Sequence, residues 1–226
     1  MRNSGIPREE FFVTTKIPCC PGNQFANGSA NCNYRRNATA DIAHDFKVLG
    51  LDYVDLMLMH WPCDDPTETL AVYRAMESLV SEGKAKAVGV SNFNSSALAT
   101  LLDSDLKVTP AVDQCAYSIA GHFEPRWGRD DASREACVAA NCTFMAYSPL
   151  GGWALGGTGR VLNDPTVKSI GAAHNKSAAQ VALRWVVQQG VVAVTSSDNA
   201  EYIAEDLDIF DFALSSAEMD ALSKIR

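Results

Sequence analysis

Apolar runs and polar breaks alternate along this chain, and the spacing of the apolar positions switches between two periods. Residues 11–16 form a short β-rich run. Ala38, Ile42, Phe46 and Leu49 then recur at helical spacing, and Gly50 supplies a stop. Residues 54–59 are almost continuously apolar, the pattern of a strand buried on both faces. A helix follows with Leu70, Tyr73, Met76 and Val80 on one side, then a strand over 85–90, then a short helix marked by Leu98, Leu101 and Leu102. Residues 111–115 and 143–146 predict two further buried strands, with a helix around 133–140 between them. Asp164-Pro165 opens one helix, and Ser177 opens another lined by Val181, Trp185 and Val186. Residues 191–194 are the last strand. Ser215 to Glu218 reads as a capping box, with Leu214 and Met219 placed for a hydrophobic staple.

Six strands, each followed by helix, predict an α/β fold with parallel pairing and right-handed crossovers. No repeat beyond this βα rhythm and no linker interrupts it, so residues 1–226 are read as a single domain. In such a fold the residues just past each strand converge on one face, where ligands bind. Here they are Lys16, His60, Ser91, Asn92, Gln114, Tyr147, Ser148, Ser196 and Ser197, all polar and each after an apolar strand. His60 has two readings at this stage: a core imidazole with one satisfied nitrogen, or a group held rigidly beside a ligand by the following Trp61-Pro62.

Composition narrows the picture. The chain has 226 residues, 47% hydrophobic and 20% charged, which is ordinary for a globular protein. A formal net charge of −8 opposes a general nucleic-acid partner, because the polyanion would be repelled. No apolar run approaches the ~20 residues needed to span a bilayer, so no membrane role is expected. The first ten residues carry Arg2, Arg8, Glu9 and Glu10 and no apolar h-region, and seven cysteines fit reduced thiols. The expected setting is therefore cytoplasmic.

Several stretches resemble the aldo-keto reductase family: Phe12-Val13-Thr14-Thr15-Lys16, Met59-His60-Trp61-Pro62, Gly89-Val90-Ser91-Asn92-Phe93, Val112-Asp113-Gln114 and Ala146-Tyr147-Ser148-Pro149-Leu150-Gly151. The similarity runs over nearly the whole chain. It implies a (β/α)8 TIM barrel, here with about six of the eight βα units, and reduction of small-molecule aldehydes or ketones to alcohols by hydride transfer from NADPH. By the same resemblance Lys16 and His60 are the catalytic lysine and histidine, with His60 and Trp61 against the substrate. Ser91, Asn92 and Gln114 hold the nicotinamide carboxamide, and Tyr147 stacks on the ring. Ser148, Pro149 and Leu150 line the pyrophosphate path, while Ser196, Ser197, Glu205 and Asp206 border the nucleotide tail. No metal is implied. Plainer readings remain open for two of these residues: Tyr147 packing in a barrel mouth, and Gln114 capping a strand end.

The chain departs from the family pattern in three places. The family's proton-donor tyrosine and its aspartate precede the lysine, whereas residues 1–15 contain neither Tyr nor Asp. The expectation is a sequence lacking the first two strands, impaired in catalysis. It would be monomeric if full-length and prone to self-association if truncated, with exposed edges at its first and last strands. The alternative is a non-catalytic nucleotide-binding or regulatory remnant. Second, the cations that clamp the 2′-phosphate of NADPH are replaced by Ser196 and Tyr202, with Asp198 and Asp206 nearby, which opens the site to NADH. Third, residues 18–34 form a long connection rich in Cys, Asn and Gly. It is read as a loop bordering the substrate pocket; Cys19, Cys20, Cys32 and Cys63 match no zinc spacing, with a metal or redox site as the alternative.

Overall fold

A computed structural model describes residues 4–19, 38–152 and 157–226. The chain divides into two compact units, Met1–Asp113 and Gln114–Arg226.

In the first unit β1 (Thr14–Ile17), β2 (Val54–Met59) and β3 (Ala85–Ser91) pair in parallel, with Thr14 opposite Leu56 and Leu58 opposite Gly89. Every residue of β2 is buried, as its continuous apolar run requires. Helices α1 (Ala38–Leu49), α2 (Pro66–Ser81) and α3 (Ser95–Leu102) follow the three strands in turn. Gly50 ends α1 with φ +60, a left-handed backbone that glycine adopts without a Cβ penalty. The side chain of Asp65 accepts from the Thr67 N–H ahead of α2, and that of Asn94 accepts from Ala97 N–H ahead of α3. Tyr73, Met76 and Leu79 of α2 and Leu98 and Leu101 of α3 are buried with Leu56, Met57, Leu58 and Met59. A Cβ on Gly89 would stand 2.4 Å from the Val112 carbonyl oxygen, so this approach to the start of β4 (Val112–Ala116) admits glycine alone.

The first strand lies later than the β-rich run at 11–16 suggested. Asp55 explains the shift: its carboxylate accepts from the Val13 N–H, while the Val13 carbonyl accepts from the Asp55 and Leu56 N–H groups. Phe11 and Phe12 are thereby left outside the ladder, with Phe12 exposed. At its other end β1 extends to Ile17, whose carbonyl accepts from the His60 N–H.

The second unit holds the rest of β4, a two-stranded antiparallel hairpin of β5 (Phe123–Glu124) and β6 (Arg129–Asp130), then α4 (Asp131–Ala139) and β7 (Thr143–Tyr147). Next come α5 (Gly159–Leu162), α6 (Pro165–His174), α7 (Ala178–Val187), β8 (Val192–Val194), α8 (Ala200–Leu207) and α9 (Ser216–Leu222). β7 and β8 pair in parallel, with Tyr147 opposite Val194. The capping box at Ser215 forms as the sequence indicates, and a second one joins Ser177 to Gln180. Trp185 of α7, Phe144 of β7 and Tyr117 are fully buried and make the aromatic centre of this unit. Hydrophobic spacing does not disclose the hairpin, whose strands are two residues each. Helix α8, which the strand–helix reading above did not assign, buries none of its residues, although Ala200, Ile203, Ala204 and Leu207 recur at helical spacing.

Candidate active site

The strand ends of the first unit bring Lys16, His60, Ser91 and Asn92 into one neighbourhood. Parallel pairing sets Ile17 opposite Met59 and Met59 opposite Val90, so the next residues along, His60 and Ser91, emerge side by side. The His60 N–H closes the β1–β2 ladder on Ile17 at 2.9 Å. On the other side the Asn92 side-chain amide donates to the His60 carbonyl at 2.9 Å and to Ser91 Oγ at 3.1 Å. Ser91 and Asn92 are fully buried, and Asn92 holds φ +63, a left-handed conformation that asparagine tolerates better than most residues. The His60 ring stacks on Trp61 with centroids 5.9 Å apart.

The His60 imidazole is lowered from 6.5 to about 4, first by surrounding protein that disfavours the charged ring and second by the nearby Lys16 ammonium. His60 is nonetheless exposed at the strand end, so solvent moderates the drop. The result is a neutral ring beside a half-buried lysine, able to donate one hydrogen bond at pH 7.

In the second unit Gln114 is buried, and its amide donates to Met145 Sδ at 2.8 Å. Tyr147 is half-buried at the end of β7. Burial raises its phenol above the ordinary value, while the charge and hydrogen bond of Arg129 oppose the rise. Ser148 has φ +55 and its carbonyl accepts from the Gly151 N–H at 2.8 Å, a tight turn that buries Pro149. Leu150 is half-buried in the same turn. Beyond β8, Thr195, Ser196, Ser197 and Asp206 share a cavity of about 560 Å³ with Leu183, Ile203 and Ile209. Burial raises the Asp206 carboxyl against a hydrogen bond from Thr195. Ser196, Tyr202 and Glu205 are exposed.

Each unit's donors can be compared with what a nicotinamide nucleotide needs. In the first unit the buried Ser91 hydroxyl and Asn92 amide are groups able to bond a carboxamide; in the second, Gln114 is a buried amide and Tyr147 a half-buried aromatic face. Asp206 with two serines does not suit a 2′-phosphate, which favours Arg or Lys.

Three features escape a reading of the sequence. Tyr117 Oη donates to Asp131 Oδ1, and His122 Nδ1 lies 3.0 Å from Asp131 Oδ2, a part-buried network whose members span fifteen positions without motif spacing. Trp127 takes φ +63 in the hairpin turn, with the Arg126 and Arg129 guanidinium groups 4.2 and 4.7 Å from its ring centre. Cys19 and Cys63 form a disulfide with a Cα–Cα distance of 5.4 Å. The reading of all seven cysteines as reduced thiols is corrected for this pair, because the parallel β1 and β2 carry both loops to bonding distance. The two sulfurs therefore offer no thiolates to a metal. Cys20 and Cys32 lie outside the described residues.

Known proteins agree with this architecture. The Aldo/keto reductase family model matches residues 1–226. The chain is 38% identical over 233 residues to morphine 6-dehydrogenase of Pseudomonas putida, covering all of this chain and 72% of that protein. It is 38% identical over 220 residues to an aldo-keto reductase of Mycolicibacterium smegmatis, covering 97% of this chain and 69% of that one. The solved structure of an aldo-keto reductase from a Medee basin deep-sea metagenome library superposes with a TM-score of 0.82 at 31% identity, over all of this chain and 74% of its own. An aldo/keto reductase from Brucella melitensis gives 0.78 at 32% identity, over all of this chain and 77% of its own. The chain belongs to the aldo/keto reductase family, whose members are oxidoreductases acting on carbonyl and alcohol groups, generally with NAD(P)H, and its six parallel strands fit an incomplete (β/α)8 barrel. Among the described residues no helix is long and apolar enough to cross a membrane.

Proposed function

We propose that this chain carries the carbonyl-orienting and nucleotide-holding part of an NAD(P)H-dependent reductase of small aldehydes or ketones. The observation that carries this reading is the His60 neighbourhood: a neutral imidazole at a strand end, beside Lys16, anchored through its carbonyl by Asn92. A neutral His60 donates a hydrogen bond to the carbonyl oxygen, orienting the carbon for attack and stabilising the charge that develops on oxygen. Lys16 places a positive charge near the same oxygen. Ser91, Asn92 and Gln114 hold the carboxamide and Tyr147 covers the ring, with Trp61 against the substrate. Ser148, Pro149 and Leu150 border the pyrophosphate, and Ser196, Ser197, Glu205 and Asp206 border the ribose end. When bound, the nicotinamide supplies the hydride.

No Tyr or Asp precedes Lys16 in this sequence, so the chain itself offers no proton donor of the family's kind there. Turnover by the 226-residue chain is accordingly proposed to be far below that of its relatives. Incubation of the purified chain with NADPH and an aromatic aldehyde tests this, read as nucleotide oxidation; turnover near that of the full-length relatives refutes it. The second reading is a nucleotide-binding or regulatory role without chemistry, resting on the same buried Ser91 and Asn92 groups. Nucleotide binding that persists while turnover stays absent, even on complementation with a fragment containing Tyr and Asp, selects the second. NADH is proposed as an effective partner alongside NADPH, on the strength of Asp206 at the ribose end. A cytoplasmic setting, with ready access to thiols, is proposed with this reading.

A further inference from the structure

Cys19 follows Lys16 by three residues, and Cys63 follows His60 by three residues. Their disulfide therefore joins the two loops that leave the strands bearing the two groups placed at the carbonyl. We propose that the Cys19–Cys63 bond is a reversible redox clasp on the Lys16–His60 neighbourhood, opened and closed by low-molecular-weight thiols and disulfides that reach Cys63.

Three observations support a clasp that operates rather than a permanent staple. The bond joins buried residues that lie just past β1 and β2, outside any strand or helix. The β1–β2 ladder ends where the His60 N–H meets the Ile17 carbonyl, and the disulfide re-joins the chains just beyond it. The two cysteines also differ in their surroundings. Cys19 is fully buried, whereas Cys63 is 8% exposed and lines a cavity of about 410 Å³ with Thr69, Phe93 and Leu101. Finally, Cys115, Cys137 and Cys142 are buried outside any disulfide, so the fold among the described residues is not built on a disulfide framework.

The chemistry balances as thiol–disulfide exchange. A small thiolate entering the cavity attacks Cys63 Sγ, a mixed disulfide forms, the protein S–S bond breaks and Cys19 leaves as a thiolate that takes a proton from solvent. A second small thiolate attacks the sulfur of the small thiol in that mixed disulfide. A small-molecule disulfide forms and Cys63 leaves as a thiolate. In sum two small thiols are oxidised by two electrons and the protein disulfide is reduced to two thiols; glutathione disulfide drives the reverse. The Thr69 Oγ1 that accepts from the Cys63 N–H at 3.0 Å keeps the Cys63 side anchored to α2 in either state. Reduction thus releases Cys19 from its tie while the Thr69 contact still holds Cys63.

The effect on catalysis rests on the function proposed above; the redox chemistry does not. The test equilibrates the full 226-residue chain in glutathione/glutathione disulfide mixtures, alkylates thiols, and reads each cysteine by tandem mass spectrometry so that Cys19 is resolved from Cys20 and Cys32. Cys19 and Cys63 are expected to gain label together as the mixture becomes reducing. The His60 amide is expected to exchange hydrogen about tenfold faster in the reduced protein. In Cys63→Ser the exchange should already be fast and indifferent to glutathione. The clasp is overturned if both cysteines stay unlabelled in excess reduced glutathione, if Cys63 pairs with Cys20 or Cys32 instead, or if His60 exchange is the same in both states. The wild-type comparison stands even if Cys63→Ser fails to fold. Redox-dependent exchange without turnover in either state, also with the fragment supplying Tyr and Asp, refutes the reductase reading and leaves the clasp intact.

Discussion

The side-chain amide of Asn92 donates to the backbone carbonyl of His60 at 2.9 Å, from a residue that is fully buried and held at φ +63. One asparagine thus does two jobs that few residues combine: it tolerates the left-handed backbone after β3 and it fixes the end of β2 where the imidazole emerges. Asn92→Ala should lose the hydrogen bond, leave the part-buried His60 carbonyl without that donor and add left-handed strain. The expected cost is about 2–4 kcal/mol in urea unfolding. Asn92→Gly separates the two effects, since it removes the bond and relieves the strain, and it should recover roughly 1 kcal/mol of that loss. Equal destabilisation by the two variants contradicts the assignment.

His60 should leave a signature on the acid side. Its folded pKa, about 4, lies below the unfolded 6.5, so the unfolded chain binds the extra proton first as pH falls. The contribution of His60 to stability is therefore complete above 6.5 and declines as pH drops from 6.5 toward 4. Replacing His60 with Gln should remove that part of the slope of unfolding free energy against pH between 6.5 and 4. Urea titrations at several pH values read it. A slope as steep in His60→Gln as in wild type shows that the imidazole is not depressed.

Asp55 works at the opposite end of β2 with the opposite sign. Burial alone would raise its carboxyl, but hydrogen bonds from Lys86, the Val13 N–H and Arg8, with the Arg8 charge, hold it at about 2. A depressed carboxylate stabilises above its unfolded value of 3.8, and that stability is lost as pH falls through about 2. Asp55→Asn should destabilise the protein by about 1.5–3 kcal/mol at pH 7, with the difference from wild type shrinking as pH drops below 4. A difference independent of pH rules out the charge as the source.

Much of this was legible in the sequence because burial writes itself in hydrophobic spacing. The run at 54–59 is buried at every position, and Asp164, Ser177 and Ser215, named as helix openings from the sequence, each accept from backbone N–H groups of the helix that follows. The strand-end positions Lys16, His60, Ser91 and Asn92 were visible for the same reason, since each closes an apolar run. The start of β1 was displaced because Asp55, forty-two residues from Val13, takes a backbone donor that a local pattern assigns to a strand. The sequence offered Cys19, Cys20, Cys32 and Cys63 as an alternative metal or redox set, but not which two pair; the partners lie forty-four residues apart, and the parallel register brings them together. Helix α8 does carry helical spacing at Ala200, Ile203, Ala204 and Leu207, a trace that goes unassigned between the last strand and the capping box at Ser215.

Asp206 offers the sharpest separation between the two nucleotides. It stands half-buried in a cavity of about 560 Å³ with Ser196 and Ser197, takes a hydrogen bond from Thr195, and its carboxyl is raised by burial. A carboxylate there accepts from a ribose hydroxyl and repels a 2′-phosphate, so one residue acts on the two nucleotides in opposite directions. Asp206→Asn keeps the shape and removes the charge. NADPH should then bind roughly three- to tenfold more tightly, while NADH loses a charge-assisted bond and weakens by about the same factor. Fluorescence quenching with each nucleotide reads both changes on one preparation. A shift of both affinities in the same direction would mean that Asp206 acts on the packing of α8 rather than on the ribose, and the proposed use of NADH would lose its support.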